Sequence, residues 1–203
     1  MKRLKRKFVA TEFGNACLRA HNKYRAIHGS PDLLLSPEVI IHSDAMEFGS
    51  LFCTKILQIS SIAQEWADQM AESNSFEKSR NSEYGENLFT AFETNPKWRV
   101  QPSDPVKAWY SEIVLYTFDE SVTPKIKDTG RFTQMIWKNT EILGIGISIH
   151  PSNRTYVVCL YDPPGNTQGE YHSNVLPPIK NAKYKDTYKW DRAIPSTHNY
   201  KTL

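Results

Sequence analysis

The octapeptide Gly-Arg-Phe-Thr-Gln-Met-Ile-Trp (GRFTQMIW, residues 130–137) combines large apolar side chains with two hydrogen-bonding ones. Its Phe, Met, Ile and Trp side chains can pack in a core, whereas Thr and Gln can donate and accept hydrogen bonds. Arg131 adds a fixed positive charge, because a guanidinium does not deprotonate in proteins. The segment therefore predicts a packed element that carries one permanent cation.

The composition is that of a globular domain. The 203 residues are 39% hydrophobic and 23% charged, and they include 5 Trp, 10 Tyr and 9 Phe, enough to supply one core. The net charge of +3 is too small to indicate a nucleic-acid partner. No segment approaches the roughly 20 consecutive apolar residues that a membrane helix needs. We therefore expect a single domain that does not bind nucleic acid.

The chain begins with a cluster of basic residues. The first seven residues, MKRLKRK, hold five Lys or Arg side chains, and no apolar run of a secretory signal follows them. We interpret residues 1–10 as a basic N-terminal tail, either simply solvated or in contact with anionic lipid.

The three cysteines allow at most one disulfide. Cys17, Cys53 and Cys159 are too few for a disulfide scaffold, and Cys159 lies in an apolar, strand-like run where a buried, reduced thiol is expected. From the chain as given, we expect a cytoplasmic or peripheral membrane protein.

Hydrophobic periodicity predicts a mixture of helices and strands. Apolar residues at spacings of three and four predict helices over 11–28 and from Ile59 to Met70, and a third helix that starts at Asp104-Pro105 and turns Val114 inward. Two alternating runs, 143–150 and 154–162, predict a hairpin. Residues 180–203 are polar and aperiodic, and we expect a flexible C-terminal tail. Without βαβ alternation, this pattern indicates a layered α+β domain.

Residues 39–58 interrupt this pattern. Without them, Ser36-Pro37-Glu38 would lead directly into the helix at Ile59, with Ser as the N-cap and Pro at the first helical position. The segment begins with Val, whose codons start with GT, and ends with Gln, one of whose codons ends with AG. Two interpretations stay open: a retained intron of twenty codons, or a genuine insertion.

Six short motifs occur in an order that resembles the CAP superfamily of cysteine-rich secretory proteins, antigen 5 and pathogenesis-related proteins. They are HNKYR (21–25), AQEWA (63–67), YGEN (84–87), WYSEI (109–113), GRFTQMIW (130–137) and YVVCLYDPPGN (156–166). WYSEI and NVLPP (174–178) are most similar to the Golgi-associated plant-pathogenesis-related branch. The resemblance implies a three-layer αβα sandwich, the CAP/SCP domain, over residues 11–179, and an extracellular location as the alternative.

Most of the motif residues are expected to be structural. Trp66, Trp109 and Trp137 should anchor the core, and His21 and Asn22 should make polar contacts to a neighbouring loop and not form a catalytic pair. The remaining motif positions are Gln134, Cys159, Tyr161, and the turn residues Gly165 and Asn166.

The family resemblance also implies a cleft with two histidines and two glutamates, often described as a divalent-metal site. The glutamates correspond to Glu86 and Glu112, but Lys78 and Arg131 stand at the histidine positions. A guanidinium offers no lone pair to a metal, and an ammonium offers none unless it is deprotonated. We therefore predict a degenerate cleft with no metal and no cofactor.

The same substitutions bear on catalysis. Cations beside Glu86 and Glu112 should lower the carboxylate pKa values, which disfavours a general acid, and the sequence contains no nucleophile beside an assigned base. We therefore expect a non-enzymatic protein that binds a ligand, with no catalytic residue.

Its expected partners are an anionic membrane lipid or a sterol, a protein partner, or a second copy in a homodimer. The alternatives are a hydrolase or protease that uses the two glutamates, and a secreted defence or reproductive signalling module.

Overall fold

A computed structural model describes residues 2–36, 59–80, 83–95, 97–119, 126–179 and 199–203. The elements in chain order are α1 Lys2–Ile27, β1 Leu34–Leu35, α2 Ile59–Ser73, β2 Gly85–Phe92, α3 Ser103–Tyr110, a 3-10 helix Ser111–Leu115, α4 Ile126–Ile136, β3 Ile142–Ile149, β4 Arg154–Asp162, α5 Tyr171–Asn174 and β5 Asn199–Thr202.

The strands form one five-stranded sheet in the order β1-β3-β4-β2-β5. β1 runs parallel to β3, and the other neighbouring pairs are antiparallel. β3 and β4 pair from Ile142–Asp162 to Ile149–Thr155, which confirms the predicted hairpin. Helices and a mainly antiparallel sheet in one domain confirm the α+β class.

Helices cover both faces of the sheet. Side chains alternate along β4, so that Val158 and Leu160 pack with α2, whereas Val157 and Cys159 pack with α1, α3 and α4. Trp109 and Trp137, predicted as core anchors, are fully buried on the second face. Two hydrophobic cores on opposite sides of one sheet make the predicted three-layer αβα sandwich.

Two glycines of β3 let α2 approach the sheet closely. A Cβ atom at Gly144 would lie 2.7 Å from the backbone carbonyl oxygen of Ile59, and one at Gly146 would clash with the backbone of Ala63. The backbone of α2 therefore occupies the space that a side chain at position 144 or 146 would need.

Three local predictions differ from the structure. α1 begins at Lys2, so most of the predicted basic tail is the first part of the helix, and the predicted flexible tail is wrong for 199–202, which pair with β2. Val114 is 62% exposed because the helix tightens to 3-10 geometry at Ser111, which changes the angular spacing of the side chains. Residues 180–198 lie outside the described residues.

The two ends of the interrupted helix meet in space. The Ser60 hydroxyl donates to the Ser36 carbonyl at 2.8 Å, and the Ser60 N–H donates to the Ser36 hydroxyl at 3.4 Å. If residues 39–58 were absent, Ser60 would follow Ser36 by four positions, and a helical Ser commonly bonds the carbonyl four residues earlier. The segment itself lies outside the described residues. Within the described ranges, no helix is long and apolar enough to cross a membrane.

Candidate functional site

Arg131 and Glu112 form an ion pair on the face of the sheet that α1, α3 and α4 cover. The Arg131 Nε donates to Glu112 Oε1, and the Phe132 N–H donates to Glu112 Oε2 at 3.2 Å. The Glu112 side chain is 9% exposed and that of Arg131 is 23% exposed. The 3-10 turn after α3 positions the carboxylate, and α4 positions the guanidinium, so both carboxylate oxygens are engaged.

Glu86 lies in different surroundings. It occupies β2 beside Leu160 of β4, and alternation places its side chain on the face that α2 covers, together with Leu88. Its carboxylate oxygens accept the Ser79 N–H at 3.3 and 3.2 Å. The nearby ammonium of Lys78 acts on Glu86 through its charge.

The four cleft residues thus fall into two pairs. Glu112 is joined to Arg131, and Glu86 is joined to the segment that carries Lys78 and Ser79. Among the described residues, no hydrogen bond or ion pair connects the two glutamates. The register of β2 explains the separation, since Glu86 and its neighbour Asn87 point to opposite faces of the sheet, and Asn87 is the one that bonds the Arg131 carbonyl at 3.0 Å.

The predicted direction of the carboxylate pKa shifts is wrong. Burial raises the pKa of Glu86, and hydrogen bonds from Ser79 and the charge of Lys78 only partly oppose it. Burial likewise raises the pKa of Glu112, in spite of its ion pair with Arg131. The cost of removing a carboxylate from water therefore exceeds the attraction of the neighbouring cation at both positions.

A cavity of about 480 Å³ opens beside Glu86, between α2 and the segment before β2. Its lining combines apolar, polar and charged side chains: Ile62, Glu65, Trp66, Gln69, Glu77, Lys78, Ser79, Arg80, Tyr84, Glu86 and Leu160. The volume lies within the roughly 300–1,000 Å³ typical of ligand pockets.

Trp66 differs from its predicted role as a core anchor. It is only partly buried, and it packs at the edge of the α2 core and lines the cavity. Its indole Nε1–H is buried and has no hydrogen-bond partner in the part of the chain that the structure describes. The periodicity of α2 identified the helix, but it could not show that the layer below ends in a cavity at this position.

His21 and Asn22 both have structural partners. The Asn22 side chain bonds both backbone groups of Leu33, at 2.8 and 3.1 Å, which confirms the expected contact to a neighbouring loop. His21 instead bonds the Cys17 carbonyl and the Tyr161 hydroxyl, each at 2.9 Å. Asn87 donates to the same Tyr161 hydroxyl at 3.1 Å. These buried polar groups connect α1, β2 and β4.

The GRFTQMIW segment lies on α4 and bonds the turn after β4. Gln134 Oε1 accepts the Gly165 N–H at 2.9 Å, and Thr133 Oγ1 donates to Asn166 Oδ1 at 2.5 Å. Asn166 Nδ2 donates in turn to the Gly130 carbonyl at 2.9 Å. A Cβ on Gly165 would crowd Trp137, so a side chain is excluded there. The motif is therefore a structural clamp, apart from Arg131.

Arg25 of the HNKYR motif is a buried side chain whose structural role the sequence did not predict. Its guanidinium is fully buried and donates to backbone carbonyls of the loop after α1 and of the segment that ends α4: Pro31, Met135, Trp137, Lys138 and Thr140. Burial lowers the Arg25 pKa to about 10, so the side chain stays charged at neutral pH. A signal was present, because Arg25 follows Cys17 and His21 at intervals of four on the buried face of α1.

The residues at the family's metal positions do not fit a divalent ion. Lys78 and Arg131 are cationic donors, and the ion pair engages Glu112. In the described ranges, no group of three or more His, Cys, Asp or Glu side chains could hold a metal.

The fold and the motif network define a CAP domain, and comparison with known proteins agrees. Residues 58–161 match the Cysteine-rich secretory protein family (CAP), and the match begins at the last residue of the 39–58 segment. The chain belongs to this family.

Individual relatives place the chain more closely. It is 33% identical to human Golgi-associated plant pathogenesis-related protein 1 over 177 residues, which cover 86% of this chain and 99% of the relative. It is 31% identical to Secreted protein RBT4 of Candida albicans over 165 residues, 78% of this chain but only 37% of that protein. The solved structure of BmVAL-1 shares the fold, with a TM-score of 0.56 at 24% identity over 76% of this chain and 78% of that one.

Proposed function

We propose that this CAP-domain protein acts by binding a ligand, a lipid or a protein, and not by catalysis. The ion pair between Arg131 and Glu112 supports this proposal most directly. A guanidinium that bonds one of the two family carboxylates removes a metal-ligand position and leaves that carboxylate without a free oxygen. The degenerate metal cleft is part of the proposal.

The cavity beside Glu86 is the proposed ligand site. Ile62, Trp66 and Leu160 offer it an apolar surface, whereas its charged side chains have both signs: Lys78, Arg80, Glu65, Glu77 and Glu86. A sterol or an acidic lipid suits this arrangement, because its apolar body covers the apolar surface and its polar head meets the charged side chains.

The basic start of α1 is the proposed contact with anionic membrane. Five Lys or Arg side chains lie within residues 2–7, at the N-terminal end of a 26-residue helix. Each basic residue near an anionic bilayer contributes about 1 kcal/mol, and salt screens this attraction. Peripheral attachment of this kind also agrees with the name of the human Golgi-associated relative.

Vesicle flotation tests the membrane contact. The full-length protein should float with phosphatidylserine-containing vesicles and not with phosphatidylcholine alone, and changing Lys2, Arg3, Lys5, Arg6 and Lys7 to Gln should abolish flotation. A matched control neutralises five exposed cations elsewhere: Arg19, Lys23, Lys97, Lys127 and Lys138. Equal flotation with both vesicle types would contradict electrostatic binding by the basic start of α1. An equal loss of flotation in the N-terminal variant and in the control variant would contradict it as well.

Native mass spectrometry tests the cavity. With cholesterol and oleate as probes, the purified protein should retain one bound molecule. Ile62→Glu places a charge in the cavity and should abolish this adduct, whereas Ile149→Glu, at a site that is 45% exposed outside the cavity, should keep it. Absence of both adducts, or an adduct that survives Ile62→Glu, would refute the proposed ligand site.

A hydrolase that uses Glu86 and Glu112 is the second candidate. The raised pKa of both carboxyl groups favours it, since a general acid at neutral pH needs such a shift. Activity on a peptide panel, lost in Glu86→Gln and in Glu112→Gln but kept in Glu141→Gln, at an exposed position outside the cavity, would support this candidate over binding alone.

A secreted defence or reproductive signalling module is the remaining alternative, suggested by the secreted relatives. Detection of the native protein in medium with a processed N-terminus would support it. Native protein that keeps its first seven residues and is found in the cell membrane fraction would instead support peripheral membrane attachment.

A further inference from the structure

Two buried cysteines from distant parts of the chain lie in the same core cluster, on the face of the sheet that α1, α3 and α4 cover. Cys17 of α1 and Cys159 of β4 are both 0% exposed, and both are free thiols. Each thiol shifts the pKa of the other. A second set of contacts brings the same elements together, because His21 follows Cys17 by one turn and bonds Tyr161, which shares a strand face with Cys159.

The surroundings of Cys17 favour its thiolate. His21 Nδ1 donates to the Cys17 carbonyl at 2.9 Å and lies 3.8 Å from the Cys17 sulfur. Hydrogen bonds from Cys159 and His21 lower the pKa of Cys17 to about 6, whereas burial raises the pKa of Cys159.

We propose that Cys17 and Cys159 form a disulfide that joins α1 to β4 when the chain folds in the presence of a disulfide oxidant such as glutathione disulfide. The Cys17 thiolate attacks one sulfur of glutathione disulfide and displaces one glutathione thiolate. The Cys159 sulfur then attacks the Cys17 sulfur of this mixed disulfide and displaces the second. One sulfur–sulfur bond forms as another breaks, and two electrons and two protons pass to two glutathione molecules.

Burial determines when this exchange takes place. No oxidant reaches two fully buried sulfurs in the closed domain, so the exchange belongs to folding or to an opening of α1 from the sheet. Once formed, the bond closes a loop that spans most of the domain, and such a bond stabilises mainly by restricting the unfolded chain.

Peptide mapping decides the proposal. The full-length chain carrying Cys53→Ser is unfolded and reduced, refolded with glutathione disulfide and glutathione, and blocked with N-ethylmaleimide in denaturant. The expected product is a cross-linked peptide pair that contains Cys17 and Cys159, with neither residue labelled. Recovery of both cysteines alkylated, or as separate glutathione adducts, would overturn the proposal.

Thermal unfolding supplies a second readout. The oxidised protein should melt at least about 5 °C above the same protein after reduction. Cys17→Val in the same background removes the pair and should melt at one temperature under both conditions. If the oxidised and reduced forms of the parent melt together, the bond is absent or does not join α1 to the sheet, and the proposal fails.

Discussion

The two glutamates Glu86 and Glu112 lie on opposite faces of the central sheet, in contrasting surroundings. On the face of α1, α3 and α4, Glu112 is held by a guanidinium and a backbone N–H inside a dense hydrogen-bond network. On the face of α2, Glu86 accepts the Ser79 N–H and borders a cavity. On the face of α1, α3 and α4, hydrogen-bonded polar groups surround Glu112, whereas on the face of α2 a cavity lies beside Glu86. This difference teaches that two glutamates of similar burial can have different surroundings, one in an ion pair and one beside a pocket.

Arg25 should show how strongly the closed face depends on its buried cation. Arg25→Met removes the donor to the carbonyls of Pro31, Met135, Trp137 and Thr140, of which Trp137 keeps the bond from the Thr140 N–H at 3.1 Å. We expect the free energy of unfolding, measured in urea, to fall by at least about 4 kcal/mol. Arg19→Met, at an exposed position of the same helix, is the control and should change it by under about 0.5 kcal/mol. A loss below about 1 kcal/mol at Arg25 would show that water replaces the guanidinium.

The α2 face depends on close packing. Gly146→Ala places a methyl group against the Ala63 backbone, and we expect it to lower the free energy of unfolding by about 1–3 kcal/mol. Gly14→Ala is the matched control, since its Cβ would lie 3.6 Å from Leu35 in a helix, and it should stabilise by about 0.5–1 kcal/mol. Equal effects of the two substitutions would contradict the proposed close approach of α2.

The two glutamates should respond differently to neutralisation. Glu112→Gln leaves Arg131 without its counter-ion and should destabilise by about 1–2 kcal/mol at neutral pH, a value reduced by the partial exposure of Arg131. Glu86→Gln should be nearly neutral there. A double-mutant cycle with Arg131→Gln should show coupling to Glu112 and none to Glu86. Coupling to both would mean that the four cleft residues form one cluster.

The pH dependence sharpens the same comparison. Because the folded pKa of Glu86 is raised, the folded state binds its proton more tightly than the unfolded state does. The stability contribution is therefore present at low pH and is lost as pH rises from the ordinary value of 4.5 through the folded pKa. Urea unfolding from pH 4 upward should show that Glu86→Gln gains stability relative to the parent over this window. If Glu86→Gln instead loses stability relative to the parent as pH rises, the pKa of Glu86 is lowered in the folded state and not raised.

The smallest effect is expected from deletion of residues 39–58. The deletion would place Ser60 four residues after Ser36, the spacing that their hydrogen bonds already suit. The free energy of unfolding should change by under about 1 kcal/mol, since loop-closure entropy varies slowly with length. Loss of folding in the deletion variant would contradict the interpretation of one helix with an insertion.

Local pattern was enough for much of the fold. The stripe from Ile59 to Met70 and the alternation in 143–150 and 154–162 identified α2, β3 and β4, because their neighbours are close in sequence. Strand β5 was missed because its stability comes from pairing with β2, far away in the chain. The six motifs identified the family, although most of their side chains turn out to clamp the fold.

The site was less predictable for physical reasons. The sequence predicted that Arg131 lies near the two glutamates, but not which of them it pairs with. That choice depends on the register of β2, which a motif does not contain. The direction of the pKa shifts was also missed, since it depends on the burial of Glu86 and Glu112 and not only on the charges beside them.

Zinc titration of the purified full-length protein by isothermal calorimetry tests the central claim most directly. With Arg131 bonded to Glu112 and Glu86 on the other face, the parent should show no stoichiometric Zn²⁺ binding, and Glu86→Ala should give the same titration. Tight binding of one Zn²⁺ per chain, abolished by Glu86→Ala or by Glu112→Ala, would contradict the division of the cleft and the non-catalytic binding function built on it.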